Sequence, residues 1–214
     1  MKLNKIAVFI GGNKNFMESI IAHWRKSHTV RIFEGKTVGE MEDLMRWSDV
    51  SFFEWMSDYV VYASKLPKTC KMVCRLHASE VYTNMPKEVI WENFDDLVFV
   101  APHIREILKI TIPDIEEKVK THIIYNGIDL DKFNFKEREN GYNLAYVGTL
   151  NHKKGPPLLL QCLKHLVDFD SQYTLHIAGI HTELRFQLYW EHMVKEVNLE
   201  ENIKHYGHSS RLNQ

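Results

Sequence analysis

Short apolar runs alternate with amphipathic stretches through the first 125 residues of the chain. The apolar runs predict buried strands, and stretches in which apolar residues recur every three or four positions predict helices. The predicted strands are 5–10, 29–33, 50–54, 70–76, 96–100 and 122–125. The predicted helices are 14–27, 39–47, 57–65 and 103–110, the last with Pro102 in its first turn. Such alternation is typical of an α/β protein with a doubly wound parallel sheet and helices on both faces.

The pattern breaks at residues 126–142, which are polar, charged and interrupted by glycine and asparagine. It then restarts in the last third of the chain. The predicted elements there are strand 143–148, helix 156–167, strand 173–178, helix 183–197 and strand 203–206. We therefore predict a first domain at 1–125, an interdomain linker at 126–142 and a second domain at 143–214.

The second domain is short for an α/β fold, because a self-sufficient domain usually needs about 100–150 residues. Three parallel strands would leave an uncovered edge and incomplete helix cover. The first domain is thus expected to be complete and the second partial. Either the sequence is a fragment, truncated at its C-terminal end, or a partner chain completes the second domain.

Composition and charge exclude several classes of protein. Hydrophobic residues make up 44% of the chain and the formal net charge is −1, which gives no general attraction to nucleic acid. Three cysteines are too few for a disulfide framework and indicate a reduced compartment. No apolar run is long enough to cross a membrane. We expect a cytoplasmic protein that binds no nucleic acid.

The loop "VGTLNHKKGP" at 147–156 is the first candidate for chemistry. A strand that ends in Gly148 and a helix that starts near Pro156 would present free backbone N–H groups and the positive end of a helix dipole. Lys153, Lys154 and Gly155 lie between them. The loop predicts either a phosphate site or only a well-formed turn, and it lacks the spacing of a P-loop.

Gly11 and Gly12 follow the first strand and raise the same question. A dinucleotide fingerprint would need a third glycine, which is missing, although Glu34 lies where a ribose-binding acid would stand. An NAD-dependent oxidoreductase is therefore one hypothesis. The alternative is a tight turn with close backbone packing.

His77 and Glu80, in "RLHASEVY", follow the fourth strand. Ligands of open α/β sheets gather at the carboxyl ends of strands, so both residues are candidates for substrate contact or proton transfer. A structural, hydrogen-bonded histidine is the alternative. No metal site is predicted, because neither Cys70 and Cys74 nor His205 and His208 have further ligands at suitable spacing.

Several motifs together resemble the retaining glycosyltransferases of the GT-B fold, glycosyl transferases group 1 or family 4. These are "IIYNGIDLDKF" at 123–133, "LAYVGTLNHKKGPPLLLQCL" at 144–163, "YTLHIAGI" at 173–180 and "HYGH" at 205–208. The glycine pair at 11–12 and the "RLHASE" segment are compatible with the family's first domain. The resemblance is strong for residues 123–180 and looser before them.

The resemblance implies two Rossmann-like domains and transfer of a sugar with retention of the anomeric configuration, as in polysaccharide biosynthesis. The donor would be a UDP- or GDP-linked sugar bound mostly by the second domain, with no cofactor and no required metal. The acceptor, a carbohydrate or a lipid-linked molecule, would bind mostly to the first domain. A lipid-linked acceptor would suit a peripheral contact with the inner face of the membrane, for which residues 14–27 carry basic residues beside aromatic ones.

The resemblance also assigns roles to residues. His77 would be catalytic, touching the transferred sugar or the acceptor, and Glu80 would lie on the acceptor side. Asn126 and Asp129 would shape the hinge. The donor-binding residues would be Gly11, Gly12, Gly148, Lys153, Lys154 and Gly155, with Lys154 on the diphosphate.

Two departures from the family pattern leave alternatives open. Thr149 replaces an arginine common after the glycine, and the paired glutamates of the family would lie beyond residue 214. A chain of this length is expected to bind donor poorly and to be inactive alone. Three hypotheses follow: a fragment of an active transferase, a non-catalytic GT-B-like subunit that binds a partner chain, and the NAD-dependent oxidoreductase.

Overall fold

The chain is described from a computed structural model, which covers residues 4–12, 14–35, 37–128, 130–132, 135 and 137–208. It divides into two compact units, Met1–Ile128 and Asp129–Gln214. Each unit has its own sheet and its own hydrophobic core.

The first unit contains a six-stranded sheet in the order β2-β1-β3-β4-β5-β6, and every neighbouring pair is parallel. The strands are β1 Lys5–Ile10, β2 Thr29–Ile32, β3 Val50–Glu54, β4 Lys71–Leu76, β5 Asp96–Phe99 and β6 Lys120–Ile123. The helices are α1 Glu18–Trp24, α2 Val38–Trp47, α3 Asp58–Ser64, α4 Met85–Glu88, α5 Pro102–Thr111 and α6 Ile115–Lys118. The predicted α/β class with a doubly wound parallel sheet is confirmed.

Helices cover both faces of this sheet because successive side chains of a strand point to opposite faces. In β1, Ile6 and Val8 belong to a core cluster with Ile21 of α1. Phe9 points the other way, into the larger cluster, where its ring stacks on Phe53 with centroids 4.7 Å apart. The uninterrupted apolar run of β1 is thus explained by burial on both faces.

Helix 14–27 is shorter in the structure than the sequence predicts. A 3-10 turn at Lys14–Phe16 precedes α1 at Glu18–Trp24. The helix ends early because the N–H groups of Lys26 and Ser27 bond three residues back, which tightens the last turn before β2. Arg25 and Lys26 are exposed, whereas Ile21 is buried in the core.

The prediction of a strand at 122–125 is wrong in its position. β6 pairs Lys120 with Asp96 and Ile123 with Phe99, and β5 ends there. Since the partner strand goes no further, Ile124 and Tyr125 lie outside β6 and are 58% and 67% exposed. The strand therefore begins two residues before the predicted one and ends before the exposed Ile124 and Tyr125.

The second unit contains a three-stranded parallel sheet in the order β7-β8-β9. Its elements are β7 Asn143–Val147, α7 Pro156–Phe169, β8 Thr174–Ala178, α8 Leu184–Glu196 and β9 Ile203–His205. Leu163 of α7 and Trp190 of α8 share one core cluster with Leu175 and Ile177 of β8. Both helices therefore cover the same face of the sheet.

The other face of the second sheet is exposed in the described residues. His176 of β8 reaches across it, with Nδ1 2.8 Å from the Tyr206 hydroxyl and Nε2 2.9 Å from Asn143 Oδ1. Val147, on the same face as Asn143, is 59% exposed. Parallel sheets are usually covered on both faces, so the described part of this unit has the incomplete helix cover that the sequence predicts.

Candidate functional site

The carboxyl ends of β1 and β3 meet where the chain order of the first sheet reverses. From β1 the chain goes to β2 on one side and later to β3 on the other. Ligands of open α/β sheets bind at such a point. The Gly11 N–H donates to the Glu54 carbonyl at 2.9 Å, which joins the two strand ends.

Gly11 and Gly12 pack closely against the loop that follows β3. A Cβ atom on Gly11 would lie 2.6 Å from Ser57 Cβ, and one on Gly12 would lie 3.1 Å from the Trp55 indole. Both positions must therefore lack a side chain for the loop to pack this closely. This geometry favours the close-packing interpretation of the two glycines, and their contact with a phosphate or sugar stays a prediction.

A buried carboxylate that the sequence analysis missed lies at the centre of this region. Glu54, the last residue of β3, is fully buried, and its Oε1 lies 2.8 Å from His77 Nε2. Its Oε2 lies 3.7 Å from Nη1 of Arg75, the residue opposite it on β4. A buried charge is tolerated only when it is paired and hydrogen-bonded. Here His77 is at hydrogen-bonding distance from the carboxylate, and Arg75 forms an ion pair with it.

The Trp55 indole stacks on the His77 imidazole, with centroids 3.9 Å apart and planes 16° apart. Trp55 also has φ +70°, a left-handed conformation that is rare for a bulky residue. Strain of this kind is concentrated at functional sites. Glu54 thus holds the edge of the His77 ring, and Trp55 covers its face.

Glu80 is buried in the 3-10 turn that follows β4. Its Oε2 accepts a hydrogen bond from the His77 backbone N–H at 2.7 Å. Burial raises the pKa of this carboxyl to about 7, although backbone N–H groups of His77 and Met56 partly oppose the rise. A carboxyl with this pKa can accept or release a proton near neutral pH.

The raised pKa of Glu80 makes the stability of the first unit depend on pH. The folded state binds this proton more tightly than the unfolded state, whose glutamate has a pKa of 4.5. The resulting stabilisation is complete below pH 4.5 and is lost as pH rises to about 7. We expect the free energy of unfolding to fall by on the order of 3 kcal/mol between pH 4.5 and pH 8.

Glu80→Gln isolates this effect, because glutamine still accepts from the His77 N–H but does not titrate. Urea unfolding of the wild-type protein and of Glu80→Gln at several pH values measures it. The difference in stability between the two proteins should change across this range. If the free energies of unfolding of the two proteins changed in parallel with pH, the raised pKa of Glu80 would be contradicted.

Asn126, one of the two predicted hinge residues, contacts the same cluster. Its Oδ1 accepts a hydrogen bond from Arg75 Nη2 at 2.6 Å. Arg75 thereby connects Glu54 to the end of the first unit. The other predicted hinge residue, Asp129, lies outside the described residues.

The loop between β7 and α7 is held by its own hydrogen bonds. Gly148 and Gly155 have φ +148° and +69°, conformations that favour glycine. Asn151 Oδ1 accepts from the Lys153 N–H at 3.1 Å and so orders the 3-10 turn His152–Lys154. The four predicted donor-binding residues of this unit therefore lie in one loop.

The expectation of free backbone N–H groups in this loop is largely wrong. The N–H groups of Gly148, Lys154 and Gly155 donate to carbonyls of Ala178, Asn151 and His152. The first two residues of α7 are prolines and have no N–H to offer. The positive charge of the loop therefore comes mainly from the side chains of Lys153 and Lys154, which are both exposed.

A cavity of about 380 Å³ lies in the second unit, lined by residues of α7 and α8 and by Val197. Within the described ranges, no three His, Cys, Asp or Glu side chains are placed to hold a metal ion. No helix in the part of the chain that the structure describes is long and apolar enough to cross a bilayer.

Comparison with known proteins finds a family match for the second unit and solved structures of similar fold for the chain. Residues 127–214 match the family model described as Glycosyl transferases group 1. No curated protein matches the chain. Among solved structures, TarM of S. aureus is 16% identical with a TM-score of 0.62; the match covers 82% of this chain and 36% of that one.

Two further solved structures are similar. Anabaena Alr3699/HepE in complex with UDP is 13% identical with a TM-score of 0.69, over 99% of this chain and 71% of that one. The pneumococcal O-GlcNAc transferase GtfA, with UDP and GlcNAc, is 15% identical with a TM-score of 0.58, over 80% of this chain and 36% of that one. The chain thus spans about a third of TarM and of GtfA. The resemblance drawn from the sequence is confirmed: the chain has the fold of the GT-B glycosyltransferases, and its residues 127–214 match Glycosyl transferases group 1.

Proposed function

We propose that this chain takes part in the transfer of a sugar from a nucleoside-diphosphate sugar to an acceptor, with retention of the anomeric configuration. The match of residues 127–214 to a glycosyltransferase family carries the proposal, because the same unit presents Lys153 and Lys154 in one ordered loop. HepE was solved with UDP-glucose and TarM with UDP, which supports a UDP-linked donor over a GDP-linked one.

On the donor side, the ammonium groups of Lys153 and Lys154 would stabilise the negative charge that develops on the departing diphosphate. The Asn151 side chain and the left-handed Gly155 fix the turn that carries both lysines. Thr149, in place of the expected arginine, offers no charge. Its carbonyl instead accepts from the Tyr146 hydroxyl at 2.9 Å, which restrains the loop.

On the acceptor side, His77 would contact the transferred sugar or the acceptor. Glu54 and Trp55 fix its ring from the edge and from the face, so little reorganisation would be needed when substrate binds. Glu80, with its pKa of about 7, would take up the proton that the acceptor hydroxyl loses or pass it on.

Calorimetric titration of UDP at low salt tests the donor side. We expect the double variant Lys153→Ala, Lys154→Ala to bind UDP at least about tenfold more weakly, because a hydrogen bond to a charged group contributes about 1.5–3 kcal/mol. Lys195→Ala, which removes an exposed charge on α8, is the matched control and should bind as the wild-type protein does. Equal affinity of the double variant and the control would remove the two lysines from the donor site.

A second candidate function is a non-catalytic subunit that binds a partner chain. The neutral Thr149 favours it, as does the sheet covered on one face in the described residues. The structure of a GtfA/B complex is among the similar ones, so assembly of two proteins occurs within this fold. Calorimetric titration of UDP and sedimentation of the chain together separate the two candidates. A catalytic chain should bind UDP, whereas a subunit of the second kind should bind none and should sediment as an assembly of more than one chain.

We propose a cytoplasmic location, where nucleotide sugars are made. A peripheral membrane contact through residues 14–27 would have to use Arg25 and Lys26, which are exposed. The apolar side of α1 faces the core, with Ile21 buried and Trp24 edge-on to Phe52 at 5.2 Å. Such a contact would therefore be electrostatic and salt-sensitive.

A further inference from the structure

Two adjoining cavities open at the carboxyl ends of β1 to β3 in the first unit. The smaller, of about 220 Å³, lies beside Gly11 and Ser57. The larger, of about 310 Å³, lies between the first turns of α2 and α3. Asp58 and Tyr59 line both cavities.

The larger cavity is apolar and aromatic. The rings of Phe33 and Tyr59 meet edge to face with centroids 5.2 Å apart, and Met41 is buried behind them. The Tyr62 hydroxyl donates to Glu42 at 2.7 Å, so its phenol oxygen is already engaged. Val38, 52% exposed, forms the rim.

The shape of the larger cavity depends on Gly35, which follows β2 with φ +75°. A Cβ atom there would lie 3.2 Å from the Tyr59 hydroxyl. No Lys, Arg or His is among the described residues that line this cavity. The lining suits a hydrocarbon or aromatic group, which gains about 0.8 kcal/mol for each buried methylene.

The smaller cavity is polar. Ser57 Oγ is buried and has no hydrogen-bond partner among the described residues. A buried hydroxyl without a partner is unusual, and a ligand hydroxyl in this cavity would supply one. The Asp58 carboxylate, which is exposed, offers acceptors for further hydroxyls. Gly11, which lines this cavity, donates its N–H to the Glu54 carbonyl, and the Glu54 side chain in turn lies 2.8 Å from His77.

We propose that the two cavities form an acceptor subsite for a glycoside with an apolar aglycone. Its hydroxylated ring would lie by Ser57 and Asp58, and its hydrocarbon part would lie between α2 and α3. This inference rests on the proposed function and extends it by naming the chemical class of the acceptor. The first unit would then have its own specificity site, in addition to the loop between β7 and α7 that carries Lys153 and Lys154, here called the lysine loop.

Titration of the protein with n-octyl β-glucoside, below its micelle concentration, tests the subsite by two-dimensional NMR. We expect shift changes centred on Val38, Met41, Ser57 and Tyr59. Free glucose should bind at least about tenfold more weakly, because burying two or more methylenes exceeds the 1.4 kcal/mol that a factor of ten requires.

A charge on the rim of the larger cavity should weaken the binding of octyl glucoside. Val38→Asp should lower its affinity at least about tenfold, and an acid in the first turn of α2 is compatible with folding. Ile110→Asp on α5, which replaces an 81% exposed apolar residue outside the cavities, is the matched control and should bind normally.

Three results would overturn the subsite: equal affinity of Val38→Asp and Ile110→Asp, shift changes elsewhere on the protein, or equal binding of glucose and octyl glucoside. UDP titration of the same samples is independent of these results. A protein that binds octyl glucoside at these residues but no UDP would keep its apolar-glycoside site and lose the proposed transfer function. A protein that binds UDP but not octyl glucoside would keep the proposed transfer function and lose the apolar-glycoside site.

Discussion

Replacing Glu54 with alanine should lower the free energy of unfolding of the first unit by about 3–5 kcal/mol, among the largest effects of any single substitution in this chain. The substitution removes a fully buried carboxylate and leaves two partners behind. Arg75, whose side chain is only 11% exposed, would keep its charge without its counterion, and His77 would lose the group 2.8 Å from its Nε2. Urea unfolding at pH 7 measures the loss.

The matched control for this substitution is Asp43→Ala on α2. Asp43 also pairs with an arginine, Arg46, but its side chain is 79% exposed. Exposed ion pairs contribute about 0–1 kcal/mol, so the control should be nearly neutral. Glu54→Gln should fall between the two, because it keeps the shape and one acceptor. A cost for Glu54→Ala as small as that of the control would show that the cluster is not a paired buried charge.

Replacing Gly179 with alanine should destabilise the second unit by about 3 kcal/mol. Gly179 follows β8, and a Cβ atom there would lie 1.8 Å from the carbonyl oxygen of Gly148 at the end of β7. The obstacle is backbone, so no side chain can turn away to make room. The ends of β7 and β8 must separate, and the Gly148 N–H would then lose its bond to the Ala178 carbonyl.

The control is Gly141→Ala, just before β7, where an added Cβ atom meets nothing within 4 Å. Thermal unfolding followed by circular dichroism compares the two variants. Gly141→Ala should be neutral or slightly stabilising, because alanine restricts the unfolded chain. Gly179→Ala should also displace the lysine loop, so its affinity for UDP should fall together with its stability. Equal melting temperatures for the two variants would contradict the close approach of the two strand ends.

The elements that the sequence predicts well are those in which burial sets the pattern. The strands at 5–10 and 50–54 have the predicted bounds, because an apolar run buried on both faces has clear ends. The strand at 122–125 was misplaced because β6 is an edge strand, whose length is set by its partner β5 rather than by its own hydrophobicity. Exposed apolar residues such as Ile124 then imitate a strand.

The site was predicted only in part. The positions of His77 and Glu80 after β4 could be inferred from the rule that ligands gather at strand ends. Glu54 was missed because it ends the mainly apolar segment "VSFFE" as its one charged residue. An acid that ends a buried strand is itself a signal, and the pairing of β3 with β4 then places it opposite Arg75.

Other features had no signal in the sequence. A tryptophan is a poor candidate for positive φ, so nothing indicated that Trp55 would turn back over His77. The hydrogen bonds that use up the N–H groups of the lysine loop depend on a 3-10 turn. They also depend on the contact between the ends of β7 and β8, which joins residues about 30 positions apart.

The most direct test of the proposed function is a pair of NMR titrations of this chain, one with UDP and one with NAD, each to millimolar concentration. We expect UDP to shift the resonances of Gly148, Lys153, Lys154 and Gly155 in the loop before α7, and NAD to shift none of them. Shifts at Gly11, Gly12 and Glu34 on addition of NAD, with no response to UDP, would contradict the proposed function and favour an oxidoreductase instead.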